Sequence, residues 1–160
     1  MSSSTLGGTD AVEFGNGNSY LGQWLDGNMA GHGQYMWVNG DQYVGNFEEG
    51  SCSGVGKKTF ASGRVAEGQW HQDVLHGRAT VSWPSGESYD GEFVRGRMHG
   101  FGERRTAGGS YAGSFSDGRE EGDGRYESAS GDLAYTGQWT KGEMEGEGAC
   151  RWGDGMVYQG

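Results

Sequence analysis

Several side chains in this sequence belong to types that bind metals, and their spacing shows whether they can meet. Four histidines are present, and two of them, His76 and His99, lie 23 residues apart. Zinc holds its nitrogen ligands about 2 Å away, whereas hairpins repeated at this spacing would place the two rings about 10 Å apart. His32 and His71 have no partner at the same spacing. The sequence therefore predicts loop histidines, no metal site and no cofactor.

Acidic side chains are the next candidates, because paired carboxyl groups can act as acid and base in glycoside hydrolysis. That reaction needs two carboxyls across a cleft, one of them with a raised pKa. The acidic groups here fall instead in runs that fit a solvated edge: Glu48–Glu49, Glu120–Glu121, and Glu143, Glu145 and Glu147. No serine or cysteine stands in a catalytic pattern with histidine and aspartate. The sequence therefore predicts a protein that is not an enzyme.

A basic cluster is the one charged group that suggests a ligand. Arg95 and Arg97 flank a glycine, and Arg104 and Arg105 follow on the next predicted strand. Guanidinium groups bind phosphates and carboxylates through paired hydrogen bonds, and basic clusters bind anionic lipid headgroups. The four arginines are therefore a candidate site for a phosphoinositide headgroup or an acidic peptide. The alternative is pairing with nearby carboxylates, those of Asp90, Glu92 and Glu103.

Large aromatic side chains form the second candidate site. They recur along the chain as Tyr20, Trp24, Trp37, Tyr43, Phe47, Trp70, Trp83, Tyr89, Phe93, Trp139 and Trp152. Aromatic rings make strong anchors for a partner, and a hydrophobic groove can accept a helix or an extended peptide. Packing of the rings on one another is the alternative for any single side chain. The sequence predicts a protein-binding surface along this aromatic face.

These candidates are positioned by a repeat of 23 residues. The repeats begin at Gly17, Gly40, Gly63, Gly86, Gly108, Asp132 and Gly155. Numbered from that first residue, position 4 is tyrosine in most repeats, position 6 is glycine and position 8 is a large ring, while glycines recur at positions 11, 15 and 17. A period of this size indicates an array built from one small supersecondary unit, whose function resides in an extended surface.

Each repeat is predicted to form two short strands. Positions 4, 6 and 8 alternate with polar positions 5 and 7, and positions 17, 19 and 21 alternate in the same way, as expected for a strand with two unlike faces. Glycines at positions 11 and 15 mark the loop between the strands. We expect position 8 to pair with 17, 6 with 19 and 4 with 21, which places Trp24 opposite Gly33 and Tyr20 opposite Trp37. Each ring would then cover a glycine or touch another ring.

The repeats add up to an all-β fold. Two strands per unit would give about 14 strands in one antiparallel meander, an elongated, twisted single layer about 65 Å long at about 4.8 Å per strand. No stretch shows the apolar period of a helix. The hydrophobic share of 32% is below the usual globular share. The core should therefore be a thin layer of aromatic residues and glycine that stays partly open to partners.

Charge and cysteine content narrow the function classes. The net charge of −10 and the pI of about 4.7 argue against nucleic acid, because its phosphates would repel the chain. Cys52 and Cys150 lie almost four repeats apart, so we expect two free thiols, which fits a reducing compartment. The sequence carries no recognisable signal peptide or transmembrane segment. We therefore expect a cytoplasmic protein.

The unit GNSYLGQWLDGNMAGHGQYMWVN, residues 17–39, resembles the MORN repeat, the membrane occupation and recognition nexus unit. The likeness rests on Y-x-G-x-W/F followed by a glycine and then G-x-G, at the same spacing in six units, and it covers residues 10–160. The resemblance implies an elongated single-sheet array of hairpins. It also implies a scaffold that binds other proteins, self-associates, or sits near membranes, cilia, the cytoskeleton or cell-division structures.

The array has expected boundaries. Residues 1–9 are predicted to be a flexible leader, and residues 10–160 divide into a half repeat (10–16), six repeats (17–39, 40–62, 63–85, 86–107, 108–131 and 132–154) and a partial repeat (155–160). Unpaired backbone groups in the last strand, 157–160, predict self-association through the sheet edge.

Departures from the repeat cluster in the middle of the chain. In repeat three, Ala66 replaces the tyrosine, and Asp73 and Ala79 replace glycines. At position 21, Thr106 and Ser128 stand in repeats four and five where other repeats have a large ring, and these two repeats are one residue short and one residue long. The departures predict a local bend or looser packing between residues 63 and 131.

The expected function is therefore a non-enzymatic scaffold or adaptor at a cytoskeletal, ciliary or membrane-associated structure. Its partner would be a protein, bound through the aromatic face and the sheet edges, with a helix or peptide in the aromatic groove. The alternative is a peripheral membrane module that binds anionic phospholipid headgroups through the arginines of repeat four.

Overall fold

The computed structural model describes residues 10–160, so the predicted leader, residues 1–9, lies outside the described residues. The regular elements of the described chain are strands: β1 (Asp10–Glu13), β2 (Ser19–Leu25), β3 (Asn28–Met36), β4 (Gln42–Glu48), β5 (Ser51–Thr59), β6 (Val65–His71), β7 (Val74–Ser82), β8 (Ser88–Val94), β9 (Arg97–Thr106), β10 (Gly109–Ser116), β11 (Arg119–Ser128), β12 (Leu133–Thr140), β13 (Glu143–Trp152) and β14 (Val157–Gln159). Within residues 10–160, no helix is long and apolar enough to cross a membrane.

The strands form one open antiparallel sheet whose order follows the chain from β1 to β14. The predicted all-β meander is confirmed. By its internal contacts the chain divides into two compact units, the first ending at Ala79 and the second beginning at Thr80.

The hairpin within each repeat turns through only two residues, those at positions 10 and 11. Both have positive φ, as in Asp26 (50°) with Gly27 (80°) and in Lys141 (53°) with Gly142 (88°). This is the type I′ turn, whose twist matches that of antiparallel strands. The prediction of a loop from position 11 to position 15 was wrong, because the turn occupies positions 10 and 11 alone. The glycine at position 15 lies in the returning strand.

The predicted strand register was also wrong. Gly22 pairs with Gly33 and Tyr20 with Tyr35, while Trp24 pairs with Met29. Position 6 thus faces position 17, and position 4 faces position 19. The short turn sets the pairing near the hairpin end, and a bulge in β3 then shifts the register between Gly22 and Gln23.

In three repeats the side chain at position 7 is a glutamine that accepts a hydrogen bond from the backbone of the returning strand. The Gln23 Oε1 atom accepts a hydrogen bond from the backbone N–H of His32 at 2.9 Å, and Gln69 accepts one from Arg78 at 2.9 Å. Gln138 does the same for Glu147 at 3.1 Å. Because a bulge leaves its extra residue without a ladder partner, these glutamines satisfy a donor that the sheet cannot. The recurrence of glutamine at position 7 was the sequence signal for this role.

The pairing aligns glycines from strand to strand. Across the second unit the paired glycines are Gly91, Gly102, Gly113, Gly124, Gly137 and Gly148. The position 4 tyrosine lies over the glycines of its own hairpin: an added Cβ on Gly102 would be 2.5 Å from the Tyr89 hydroxyl. The predicted covering of glycines by rings is therefore confirmed, but the ring is that of tyrosine and not of the position 8 residue.

The tyrosine hydroxyl reaches past the glycine row to the backbone. In five repeats it donates a hydrogen bond of 2.9–3.1 Å to the carbonyl three residues later, as in Tyr20 to Gln23 and Tyr89 to Glu92. This contact lets a polar tip be buried without losing its partner. The repeat is thus held by a ring that fills the space left by two glycines and is fixed at its end.

Repeat three explains why the tyrosine and the glycine change together. Ala66 replaces the tyrosine and Ala79 replaces the glycine of position 17, and both are buried. Without the ring there is room for a methyl group: an added Cβ on Gly68 would meet Ala79 and not an aromatic side chain. The two departures compensate for each other.

Repeat four is one residue short and repeat five one residue long, and these differences lie in the segments that connect one repeat to the next. Residues 107–108 alone connect β9 to β10, and residues 129–132 connect β11 to β12, whereas residues 37–41 connect β3 to β4. The rings of Tyr89 and Tyr111 stay buried, so the predicted looser packing is not seen at these rings. The predicted bend stays a prediction.

Alkaline pH is expected to destabilise the fold through the buried tyrosines. Burial raises the pKa of Tyr20 and Tyr43, and burial aided by nearby carboxylates raises those of Tyr89 and Tyr111 to about 12. Unfolded tyrosine titrates near about 10, so above that pH the unfolded chain releases protons that the native chain keeps. The stabilisation present below about pH 10 is then lost as pH rises toward 12. Urea unfolding across this range would check it, and an unfolding free energy that stays constant to pH 12 would contradict it.

Candidate functional site

The aromatic face is the face that carries positions 4, 6 and 8. Most of its predicted binding residues are buried: Tyr20, Tyr43, Phe47, Trp70, Tyr89, Phe93 and Trp139. Neighbouring rings meet edge to face, with centroids 5.1 Å apart for Tyr20 and Phe47 and 4.9 Å apart for Tyr111 and Trp139. Such pairs stabilise a fold beyond the area they bury. These rings therefore form the core and leave little surface for a partner.

The remaining predicted rings are more accessible. Trp24, Trp37 and Trp83 are half-buried, and Trp152 is exposed. The Trp37 ring packs 4.6 Å from Tyr35, and the Lys58 ammonium lies over it at 4.0 Å. Trp37 is thus already covered by a cation–π contact.

The four arginines of the predicted anionic-ligand site do not converge. Arg104 pairs with Tyr89 and Tyr111 across the sheet and lies on the aromatic face, whereas Arg105 points to the opposite face because successive residues of a strand alternate. Arg97 contacts Asp117 at 3.4 Å and Arg105 contacts Glu103 at 2.8 Å. Arg95 is exposed in a hairpin turn.

Arg104 instead borders a hollow in the aromatic face of the second unit. The hollow has a volume of about 420 Å³. It is lined by Arg104, Thr106, Gly109, Tyr111, Glu120, Tyr126, Leu133, Trp139, Gly142 and Met144. Its walls combine aromatic and aliphatic side chains with one ion pair, the composition typical of ligand sites.

Departures from the repeat create this hollow. Position 21 is Trp37 in repeat one and Trp83 in repeat three, but Thr106 in repeat four. Position 13 is apolar in the other repeats, as in Met98 and Met144, but is Glu120 in repeat five. A missing ring and an added charge therefore meet at one place on the aromatic face.

The charge in the hollow is held by an ion pair. The Arg104 guanidinium lies 3.3 Å from the Glu120 carboxylate, and the two side chains are 35% and 15% exposed. Because both side chains are partly sheltered, losing one partner would leave the charge of the other incompletely solvated. The sequence placed Arg104 in the candidate anionic-ligand site and Glu120 on a solvated acidic edge, and it did not predict their contact, since only the strand register brings position 19 of one repeat next to position 13 of the following repeat.

One of the residues that line the hollow, Trp139, has a buried indole N–H. The Trp139 side chain is 7% exposed, and its indole N–H has no hydrogen-bond acceptor among residues 10–160. Trp70 occupies the same repeat position and donates its N–H to the Gly56 carbonyl at 2.9 Å. A buried donor without an acceptor costs about 1–3 kcal/mol, and because this nitrogen is itself buried, a ligand in the hollow does not reach it.

Removing one member of the ion pair is expected to destabilise the second unit. Glu120→Met leaves Arg104 without its partner and should lower the free energy of unfolding by about 1 kcal/mol, a value reduced for partial exposure. Adding Arg104→Tyr creates the tyrosine–methionine combination that Tyr126 and Met144 provide at the same two positions of repeats five and six. The double variant should recover at least wild-type stability in urea unfolding. A single variant as stable as the double one would contradict this interpretation.

Other reactive groups are separate from the hollow. Both cysteines are free, as predicted, and burial raises the pKa of the Cys52 thiol to about 12. The described part of the chain, residues 10–160, contains no group of three or more histidine, cysteine or acidic side chains placed to hold a metal ion.

Comparison with known proteins agrees with this architecture. The sequence profile of the MORN repeat matches residues 20–42, 43–63, 67–88, 89–110, 111–133 and 135–157. A search of the curated proteins gave no match. Among similar solved structures is the SAS-4 (dCPAP) TCP domain of Drosophila melanogaster, in complex with a proline-rich motif of Ana2 (dSTIL). That likeness has a TM-score of 0.51 and 14% sequence identity, and covers 94% of this chain and 87% of the other. The six matched repeats extend over most of the sequence, and the chain therefore belongs to the MORN repeat family.

Proposed function

We propose that this protein is a non-enzymatic scaffold that binds a peptide segment of a partner protein in the hollow of the second unit. The observation that carries the proposal is the hollow itself, which opens where Thr106 and Glu120 depart from the repeat. Elsewhere the position 4 and position 8 rings are largely consumed by packing on one another. The hollow thus offers aromatic walls and a sheltered ion pair in one place.

Two further observations support a peptide partner. The structurally similar TCP domain was solved with a proline-rich motif bound to it, and open single sheets offer edges and faces suited to extended segments. A location at a cytoskeletal, ciliary or membrane-associated structure follows from what MORN repeats imply, and belongs to the same proposal.

Affinity capture with matched variants tests this function. Leu133→Glu places a charge at the wall of the hollow, whereas Thr136→Glu places the same charge on the opposite, exposed face of the same strand, β12. We expect wild-type protein and Thr136→Glu to retain a common partner from a cell lysate, and Leu133→Glu to lose it. Equal capture by both variants would show that the partner binds elsewhere.

Lipid binding through the arginines of repeat four is the alternative function. The ion pairs of Arg97, Arg104 and Arg105 with carboxylates reduce the positive charge that these side chains could offer to a headgroup. Co-sedimentation with phosphoinositide liposomes distinguishes the two functions. Binding that is lost in Arg104→Glu with Arg105→Glu, but is unaffected by Leu133→Glu, would favour the lipid function.

A further inference from the structure

Two histidines lie side by side in the hairpin of repeat three. His71 is the last residue of β6 and His76 lies near the start of β7, at repeat positions 9 and 14. Their ring centroids are 6.0 Å apart, with the ring planes inclined at 60°, and both residues are exposed. The sequence comparison missed this pair, because it matched histidines at equal positions of neighbouring repeats.

The separation of the two rings suits a shared metal ion. Zinc lies about 2 Å from each ligand nitrogen with tetrahedral angles, so two imidazoles on one ion have ring centroids about 5–6 Å apart. The observed 6.0 Å therefore needs only small rotations of two exposed rings. Imidazole is a favoured ligand of zinc, copper and nickel ions.

The turn between the two histidines is anchored to the neighbouring strand. Gln72 and Asp73 form this turn with φ of 47° and 68°, and Asp73 stands where other repeats have glycine. The Asp73 backbone N–H donates to the Cys52 carbonyl on β5 at 3.0 Å, and the Asp73 Oδ1 atom accepts from the Cys52 N–H at 2.8 Å. A chelating pair on a hairpin fixed in this way loses little conformational freedom when it binds an ion.

Side chains at repeat positions 9 and 14 contact each other in another hairpin as well. In repeat two the Ser53 hydroxyl donates to the Glu48 Oε2 atom at 3.3 Å. Only repeat three has histidine at both positions; the other pairs are Leu25 and Ala30, Glu48 and Ser53, Val94 and His99, Ser116 and Glu121, and Thr140 and Glu145. The hairpin geometry thus brings the two positions together, and repeat three supplies the metal-binding side chains.

We propose that His71 and His76 bind one divalent transition-metal ion of the zinc, copper and nickel class, through one nitrogen of each ring, with water in the remaining positions. Structural zinc sites have four protein ligands, so an ion held by two is exchangeable and does not hold the fold together. The site lies in the first unit and is independent of the hollow and of the function proposed for it.

Calorimetric titration of the full chain with zinc chloride tests the site. We expect one ion per chain, bound at least about tenfold more weakly by His71→Gln and by His76→Gln, since each removes one of the two ligands. His99→Gln is the matched control, because His99 also occupies position 14 but has Val94 at position 9. It should change the affinity less than about twofold, since a lone histidine offers too few ligands. Magnesium chloride should not compete, because magnesium prefers oxygen ligands.

One substitution should copy the site into the next repeat. Val94→His places an imidazole at position 9 of repeat four, with His99 at position 14. Val94 is 41% exposed, so the fold should tolerate the change. We expect this variant to bind a second zinc ion. Absence of a second ion would count against the claim that these two positions are sufficient for chelation.

The measured affinities also distinguish the site from scattered binding to carboxylates. Zinc binding that is as tight in His76→Gln as in wild type would overturn the proposal, and so would an equal loss in His99→Gln. Absence of zinc binding by wild-type protein would overturn it as well. As a second readout, zinc should raise the urea midpoint of wild type more than that of His76→Gln, because an ion that binds the native chain stabilises it.

Discussion

Tyr89→Ala is expected to lower the free energy of unfolding of the second unit by about 3–5 kcal/mol, the range for deleting a large buried ring. Tyr89 is 1% exposed and packs edge to face on Phe93 at 5.1 Å and on Phe115 at 5.0 Å. Its hydroxyl also donates to the Glu92 carbonyl at 3.1 Å. The substitution would leave a cavity above two glycines that have no side chains to fill it.

Urea unfolding followed by circular dichroism measures this effect. Tyr158→Ala is the matched control, since Tyr158 occupies the same repeat position but is 62% exposed, and it should cost less than about 1 kcal/mol. Similar losses in the two variants would mean that the position 4 ring is not the element that holds a repeat together.

Gly102→Ala is expected to cost about 2–3 kcal/mol, although alanine is normally the better strand residue. Its Cβ would lie 2.5 Å from the Tyr89 hydroxyl oxygen and 2.7 Å from Cζ, and the ring cannot move because it is enclosed. Gly102 is not in the left-handed region, so the cost is steric. Gly15→Ala is the control, because no atom lies within 4 Å of its added Cβ, and it should be near neutral by the same denaturation measurement.

Combining the two substitutions should reveal their coupling. In the Tyr89→Ala background, Gly102→Ala should cost nothing or gain about 0.5–1 kcal/mol, because the obstructing ring is gone. Repeat three already contains this combination as Ala66 and Ala79. A double-mutant cycle should therefore give a coupling energy of about 2–4 kcal/mol. Additive costs would contradict the packing of tyrosine on glycine.

The sequence was sufficient to predict the number of strands, their order and the composition of each face. It was not sufficient to predict the register. A two-residue slip leaves every side chain on the same face of a strand, so the alternation around Tyr20 fits the wrong partner, Trp37, as well as the observed one, Tyr35. Turn length and a bulge decide between the two, and the glycines at positions 11 and 15 are compatible with either a loop or a tight turn followed by a bulge.

The candidate site was only partly predictable for the same reason. Thr106 was recognised as a departure from the repeat, Arg104 as one of four candidate arginines, and Glu120 as one acidic residue among many. Their meeting depends on which residues of neighbouring hairpins face each other, which the sequence pattern does not specify. The unpartnered Trp139 donor depends on the orientation of its ring, since Trp70 at the same repeat position has an acceptor. Comparing each position across all repeats would have identified Glu120 as the exception.

The central claim is that departures from the repeat, and not the repeated rings, make the binding site. The double variant Arg104→Tyr with Glu120→Met tests it most directly, because it introduces the tyrosine and methionine that repeats five and six have at the same two positions, Tyr126 and Met144. We expect a folded protein at least as stable as wild type that no longer captures the partner retained by wild type in the same lysate. Capture of that partner by the folded double variant at the wild-type level would contradict the account.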